Sequence, residues 1–183
     1  MRTLLAGAKA LAIPEGNVVK ITSKASGELI WEKPASFTNL LPLATDTDRK
    51  TIYNGKGYRS GYRLSSSNGG VTAAGGMYTS GFIPAQVGDV VRIKNIKPKL
   101  GTASYVMTFD SSNTKVGVGT LGQKGETDPD WRDAYGCIDS YNNGIITVTL
   151  DSATFGTGFD SFRFSAGVID ENTIVTINQE IPA

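Results

Sequence analysis

The acidic side chains that could do acid–base chemistry in the second half of the chain are Asp110, Glu126, Asp128, Asp130, Asp133, Asp139, Asp151 and Asp160. A pair of carboxyl groups hydrolyses a glycosidic bond when one environment raises a pKa while the other keeps its partner ionised. Nearly all of these acids lie in loops or at strand ends, and no pair falls in an apolar cleft that the sequence reveals, so turn and solvation roles are expected. Histidine is absent. That removes the one side chain that titrates near neutrality unaided, and with it most triads, zinc sites and general-base schemes. The single cysteine, Cys137, excludes an internal disulfide and any CxxC site. Within Ala134-Tyr135-Gly136-Cys137-Ile138 it reads as a small buried apolar residue.

Gly117-Val118-Gly119-Thr120-Leu121-Gly122 matches the letter of the dinucleotide fingerprint. The fingerprint needs a helix directly after the turn to receive a pyrophosphate, and here the polar, Pro-containing stretch Gln123 to Pro129 follows, so no nucleotide cofactor is expected. Asp110-Ser111-Ser112-Asn113 offers oxygens to calcium but too few ligands, and reads equally well as a hairpin connection. No cofactor or metal is expected. Aromatic residues carry the better functional case. Tyr58, Tyr62, Tyr78, Trp131, Tyr135 and Tyr141 lie in or beside Gly-rich turns, and flat rings with a polar handle suit stacking on sugar faces. Trp131, Tyr135, Tyr141 and Tyr78 are the expected ligand-binding residues. The same residue types also close the ends of sandwich cores.

Positioning such rings requires a scaffold. At 183 residues the chain has room for one well-packed domain plus an appendage. Twenty-two glycines mixed with Ser, Thr and Asn fit many short strands joined by tight turns. A net charge of +1 supplies no field to hold nucleic acid or an anionic membrane. No apolar run approaches the roughly 18 residues of a membrane span. Lys9 interrupts the N-terminal apolar residues well short of a secretion signal's core.

Strands are expected near 58–65, 77–84, 88–96, 103–109, 114–118, 134–138, 144–150, 160–166 and 173–178. Alternation assigns Val91 and Ile93, then Tyr105, Met107 and Phe109, then Ile146, Val148 and Leu150, and finally Phe162, Phe164 and Ala166 to inner faces. The low-complexity stretch Asn68 to Gly76 is expected to be a mobile loop. With no βαβ alternation, the economical architecture is all-β, an antiparallel jelly-roll-like β-sandwich.

Ahead of it, alternation over Asn17 to Glu32 predicts a β-hairpin, too small to be stable without a partner. Leu4, Leu5, Ala8 and Leu11 share one face of a short uncapped helical segment. Leu4, Leu5, Leu11 and Trp31 are therefore the expected docking residues. The expected organisation is an arm and hairpin over 1–33, a linker and entry segment over 34–57 and a sandwich over 58–183.

Three stretches resemble a module of structural proteins in phages and prophages of Gram-positive bacteria. They are Ile52-Tyr53-Asn54-Gly55-Lys56-Gly57-Tyr58 through Ser66, Gly81-Phe82-Ile83-Pro84 through Ile93, and Phe162-Arg163-Phe164-Ser165 through Asn178. The hairpin from Ile13-Pro14-Glu15-Gly16 to Trp31-Glu32 resembles an element that often precedes that module. The resemblance implies a carbohydrate-binding-like β-sandwich in a tail, baseplate or capsid-surface protein, without an assigned enzymatic activity. Expected partners are other virion proteins, further copies of the chain and a host-surface glycan; a decoration protein with no glycan ligand is the alternative.

Overall fold

The computed structural model describes residues 20–23, 29–32, 37–97, 102–122 and 137–181, the first two stretches and Gly122 as backbone alone. The chain divides into two compact units, Met1–Ser36 and Phe37–Ala183. In the first, β1 (Lys20–Ser23) and β2 (Leu29–Glu32) pair antiparallel with Ile21 opposite Trp31. This is the hairpin that the alternation predicts. Leu4, Leu5 and Leu11 lie outside the described residues, and Trp31 is placed by its backbone only.

The second unit is built from β3 (Tyr58–Leu64), β4 (Val71–Ser80), β5 (Ile83–Pro84), β6 (Val90–Lys94), β7 (Ser104–Phe109), β8 (Lys115–Gly122), β9 (Ser140–Asn142), β10 (Ile145–Thr149), β11 (Ser161–Ala166) and β12 (Ile174–Ile177). A single α-helical turn, α1 (Ser152–Phe155), is present among the described residues. One sheet has the order β12-β6-β10-β9; the other runs β3-β4-β11-β7-β8, with β5 also alongside β11. The pairings are antiparallel and the architecture is all-β.

Both sheets contribute to one core. Val91 and Ile93 of β6, Ile146 and Val148 of β10 and Val175 of β12 cluster with Val106 of β7 and with Phe162, Phe164 and Ala166 of β11. Each buried phenylalanine contributes about 1.5–3 kcal/mol relative to exposure. The inner faces expected for β6, β10 and β11 are therefore found.

Strand β7 differs from expectation. Val106 joins the shared core, whereas Met107 and Phe109 form a second cluster with Leu64 and Phe82. Period-two alternation cannot say which face is inward when both are covered. The cover on this second face is a cation–aromatic stack. Arg163, only 4% exposed and paired in register with Met107, lies 4.7 Å from the Phe82 ring centroid and 5.2 Å from that of Tyr53. The Arg49 guanidinium sits 4.1 Å from the Phe82 centroid, and Phe109 meets Phe82 edge-on with centroids 5.2 Å apart.

Three further expectations change. The compact unit begins at Phe37 rather than at 58, because Leu41, Ala44 and Tyr53 of the expected linker are buried. Thr45 also forms bridges with Ile52 and Phe82. These residues sit in 3-10 turns and single bridges, which leave no periodicity to read. Part of the expected loop Asn68 to Gly76 is strand: β4 begins at Val71, opposite Leu64, across a turn in which Ser65 N–H donates to the Gly70 carbonyl (2.8 Å). The strand expected at 134–138 lies largely outside the described residues, while Cys137 and Ile138 are not in a strand and β9 forms at Ser140–Asn142.

Gly117 and Gly119 fall within β8. A Cβ on Gly117 would stand 2.3 Å from the Phe155 backbone, and one on Gly119 would stand 2.5 Å from the Cys137 Cβ. The glycines of the apparent nucleotide fingerprint thus let β8 approach α1 and Cys137. The Cys137 thiol donates to the Thr120 carbonyl at 3.3 Å. Burial, with Asp139 and Asp151 adding to it, pushes its pKa up to about 12, so it remains a neutral thiol.

Candidate functional site

Three loops converge on a cleft of about 290 Å³ lined by Leu41, Pro42, Lys56, Tyr58, Asp170, Glu171 and Thr173. The first wall is the 3-10 turn Leu41–Leu43, started by Pro42. Asn39 fastens it to the start of β12: its amide nitrogen donates to the Thr173 carbonyl (2.9 Å), while its side-chain oxygen accepts from the N–H groups of Leu41 (3.1 Å) and Val175 (2.9 Å). Three of the four hydrogen bonds that one amide can make are thereby engaged in holding two distant segments in register.

The second wall comes from the turn before β3. Asn54 and Gly55 adopt φ of +48° and +67°, the left-handed pair that an Asn-Gly turn favours. Gly57 follows with φ +81°, and a Cβ there would stand 1.8 Å from the Leu41 carbonyl oxygen. Only glycine meets both demands, the dihedral and the close approach of the two walls.

The third wall is the Asp170 to Thr173 turn. Thr173 N–H donates to the Asp170 carbonyl (3.1 Å), the Thr173 hydroxyl accepts from Asp170 N–H (3.0 Å), and Asp170 Oδ1 accepts from Asn172 N–H (2.9 Å). The Thr173 hydroxyl also donates to the Asn95 carbonyl at 3.2 Å. The turn is held by the Asp170 and Thr173 side chains together with its backbone, and Glu171 projects from it exposed.

Tyr58 lies on the floor. It is opposite Ser80 in the β3–β4 register, and Tyr78 is opposite Ser60 two positions along, so the two tyrosines share a face. Their rings are 6.4 Å apart and tilted by 53°. Desolvation raises the Tyr58 phenol pKa, with Glu171, Asp170 and Tyr78 contributing in the same direction. The hydroxyl therefore stays protonated, able to donate and accept. Among the described residues no hydrogen bond or ion pair holds the Lys56 ammonium or the Glu171 carboxylate. The cleft thus offers the apolar Leu41–Pro42 wall, one cation, a phenol, the exposed Glu171 carboxylate and the half-buried Asp170 carboxylate.

Of the expected ligand-binding residues, Tyr78 stands beside this cleft, against Tyr58, and both pack on the core. Tyr141 is on β9, the outer strand of the other sheet, half-buried against the core. Trp131 and Tyr135 lie outside the described residues. Sequence reasoning missed Lys56, Asp170 and Glu171. The visible signals were the Asn-Gly turn and the Asp-Glu-Asn turn, but nothing local shows that segments more than 110 residues apart share a wall.

Of the other expected acids, Glu126, Asp128, Asp130 and Asp133 lie outside the described residues, and the remaining four hold local structure. Asp151 Oδ1 accepts from Ala153 and Thr154 N–H (both 2.8 Å), capping α1. Asp110 Oδ1 accepts from Ser112 and Thr114 N–H (both 2.9 Å), Asp139 accepts from the Thr149 hydroxyl (2.7 Å), and Asp160 pairs with Arg49 (3.0 Å). Among the described residues no three of Cys, Asp and Glu gather as a metal ion would require. Comparison of the chain with protein families, curated proteins and solved structures gave no match.

Proposed function

We propose that this chain is a non-enzymatic surface protein of a phage particle, docked through residues 1–33, whose two-sheet unit is a jelly-roll-like sandwich that binds a host-surface glycan. The observation that carries the glycan reading is the cleft: the Tyr58 ring beside the apolar Leu41–Pro42 wall, flanked by the Asp170 carboxylate and by the Lys56 ammonium and Glu171 carboxylate, which no hydrogen bond or ion pair holds among the described residues. Sugar rings present an apolar C–H face and a rim of hydroxyls, and this arrangement complements both. The particle reading rests on the three sequence stretches that resemble phage structural modules and on the separate compact unit at the N-terminus.

A glycan array tests the ligand. Reproducible binding that falls about 3- to 10-fold on Tyr58→Ala, the range expected for one aromatic contact, supports adhesion. Silence across the array supports the architectural alternative, a decoration protein that bridges neighbouring subunits. Deleting residues 1–33 tests the docking, since the truncated protein is expected to be left out of particles while its second unit stays folded.

A further inference from the structure

We propose that the cleft discriminates among sugars by charge, taking a single ring that bears a protonated amine in preference to a neutral ring, and a neutral ring in preference to one carrying a carboxylate, sulfate or phosphate. This deepens the glycan reading and rests on it. Size sets the first limit: about 290 Å³ lies just below the range of roughly 300–1,000 Å³ typical of small-ligand sites, enough for one ring rather than a polymer segment.

Charge sets the second. Asp170 and Glu171 carry two negative charges against the one positive charge of Lys56, so the lining is net −1. Asp170 Oδ1 is engaged by Asn172 N–H, which leaves its other oxygen and the whole Glu171 carboxylate as acceptors. An ammonium brings three donors to those acceptors. The Tyr58 ring, which lines the cleft, is a further partner for the same cation. A ring bearing an anion would meet the two carboxylates and gain only from exposed Lys56, whose flexible stem holds no fixed position.

The test uses the full chain in NMR titrations with the methyl glycosides of glucosamine, N-acetylglucosamine and glucuronic acid. At low ionic strength the amino sugar is expected to bind about tenfold more tightly than the acid sugar, with the neutral ring between, and the spread should collapse near 1 M salt as exposed charges are screened. Glu171→Gln should narrow the spread to about threefold, and Lys56→Gln should widen it. Both side chains are exposed, so these variants keep the fold, and their opposite signs separate charge selection from general damage. Equal binding of the three sugars, or tighter binding of the acid sugar, overturns the charge selection and leaves the glycan reading standing. Failure of all three, together with silence on the glycan array, removes both.

Discussion

Two aromatic clusters built from the same kinds of residue lie on the larger sheet and its flanking loops, and they behave oppositely. In the Tyr53, Phe82, Arg49 and Arg163 cluster every charge is engaged. Arg163 Nε donates to the Ser80 carbonyl (2.9 Å), and Arg49 donates to Asn113 Oδ1 (2.6 Å), Asp160 (3.0 Å) and the Asp110 carbonyl (2.6 Å). In the Tyr58, Tyr78, Lys56, Asp170 and Glu171 cluster the rings are half-buried, and the Lys56 and Glu171 charges face water. Residue type alone does not separate a sealed packing cluster from one proposed to bind a ligand. What separates them is whether the polar atoms are satisfied from within.

The sharpest way to break this comparison is Arg163→Ala. It deletes a buried cation–aromatic contact and the Arg163 Nε hydrogen bond to the Ser80 carbonyl, and should cost about 3 kcal/mol in urea denaturation while leaving the proposed glycan affinity of the folded fraction unchanged. A cost below 1 kcal/mol would show the sealed cluster to be as dispensable as the open one.

A sealed group of another kind gives a pH test. The Cys137 pKa rises from 9.0 to about 12, so the folded state favours the neutral thiol. Stability from this group is complete below pH 9 and falls as pH rises toward 12, by at most about 1.4 kcal/mol per pH unit. The difference between the wild-type and Cys137→Ala stability profiles isolates it from lysine titration. A flat difference would mean that the thiol is open to solvent.

The smallest effect belongs to the open cluster. Glu171→Gln should shift stability by less than about 0.5 kcal/mol, as surface changes do, despite its effect on ligand choice. A large loss of stability would move Glu171 to the packing side of the comparison.

The alternation in β6, β10 and β11 was enough to read the two-sheet core, because those strands are flanked by turns and keep their period. It failed at β7, where a second apolar face is covered by Phe82 and the segment before β3. The linker reading of 34–57 failed for a related reason: Leu41, Ala44 and Tyr53 are anchored singly, and isolated anchors look like loop. Of the site, Tyr78 and the aromatic character were legible. The carboxylates were not, since Asp170 and Glu171 meet Lys56 and Tyr58 only through chain crossing, and the Asn39 amide that fastens the walls has no local signature.

The Gly57 contact with the Leu41 carbonyl has a consequence for how such a surface can change over time. Residue 57 tolerates no side chain, so the frame of the cleft is fixed at that point, whereas residues 56 and 171 stand in solvent and bear none of its weight. Drift can therefore act on the proposed ligand preference almost independently of folding. A library randomised at Lys56 and Glu171 with Gly57 held constant should yield mostly soluble variants with altered sugar profiles, and the same library opened at Gly57 should yield few folded ones.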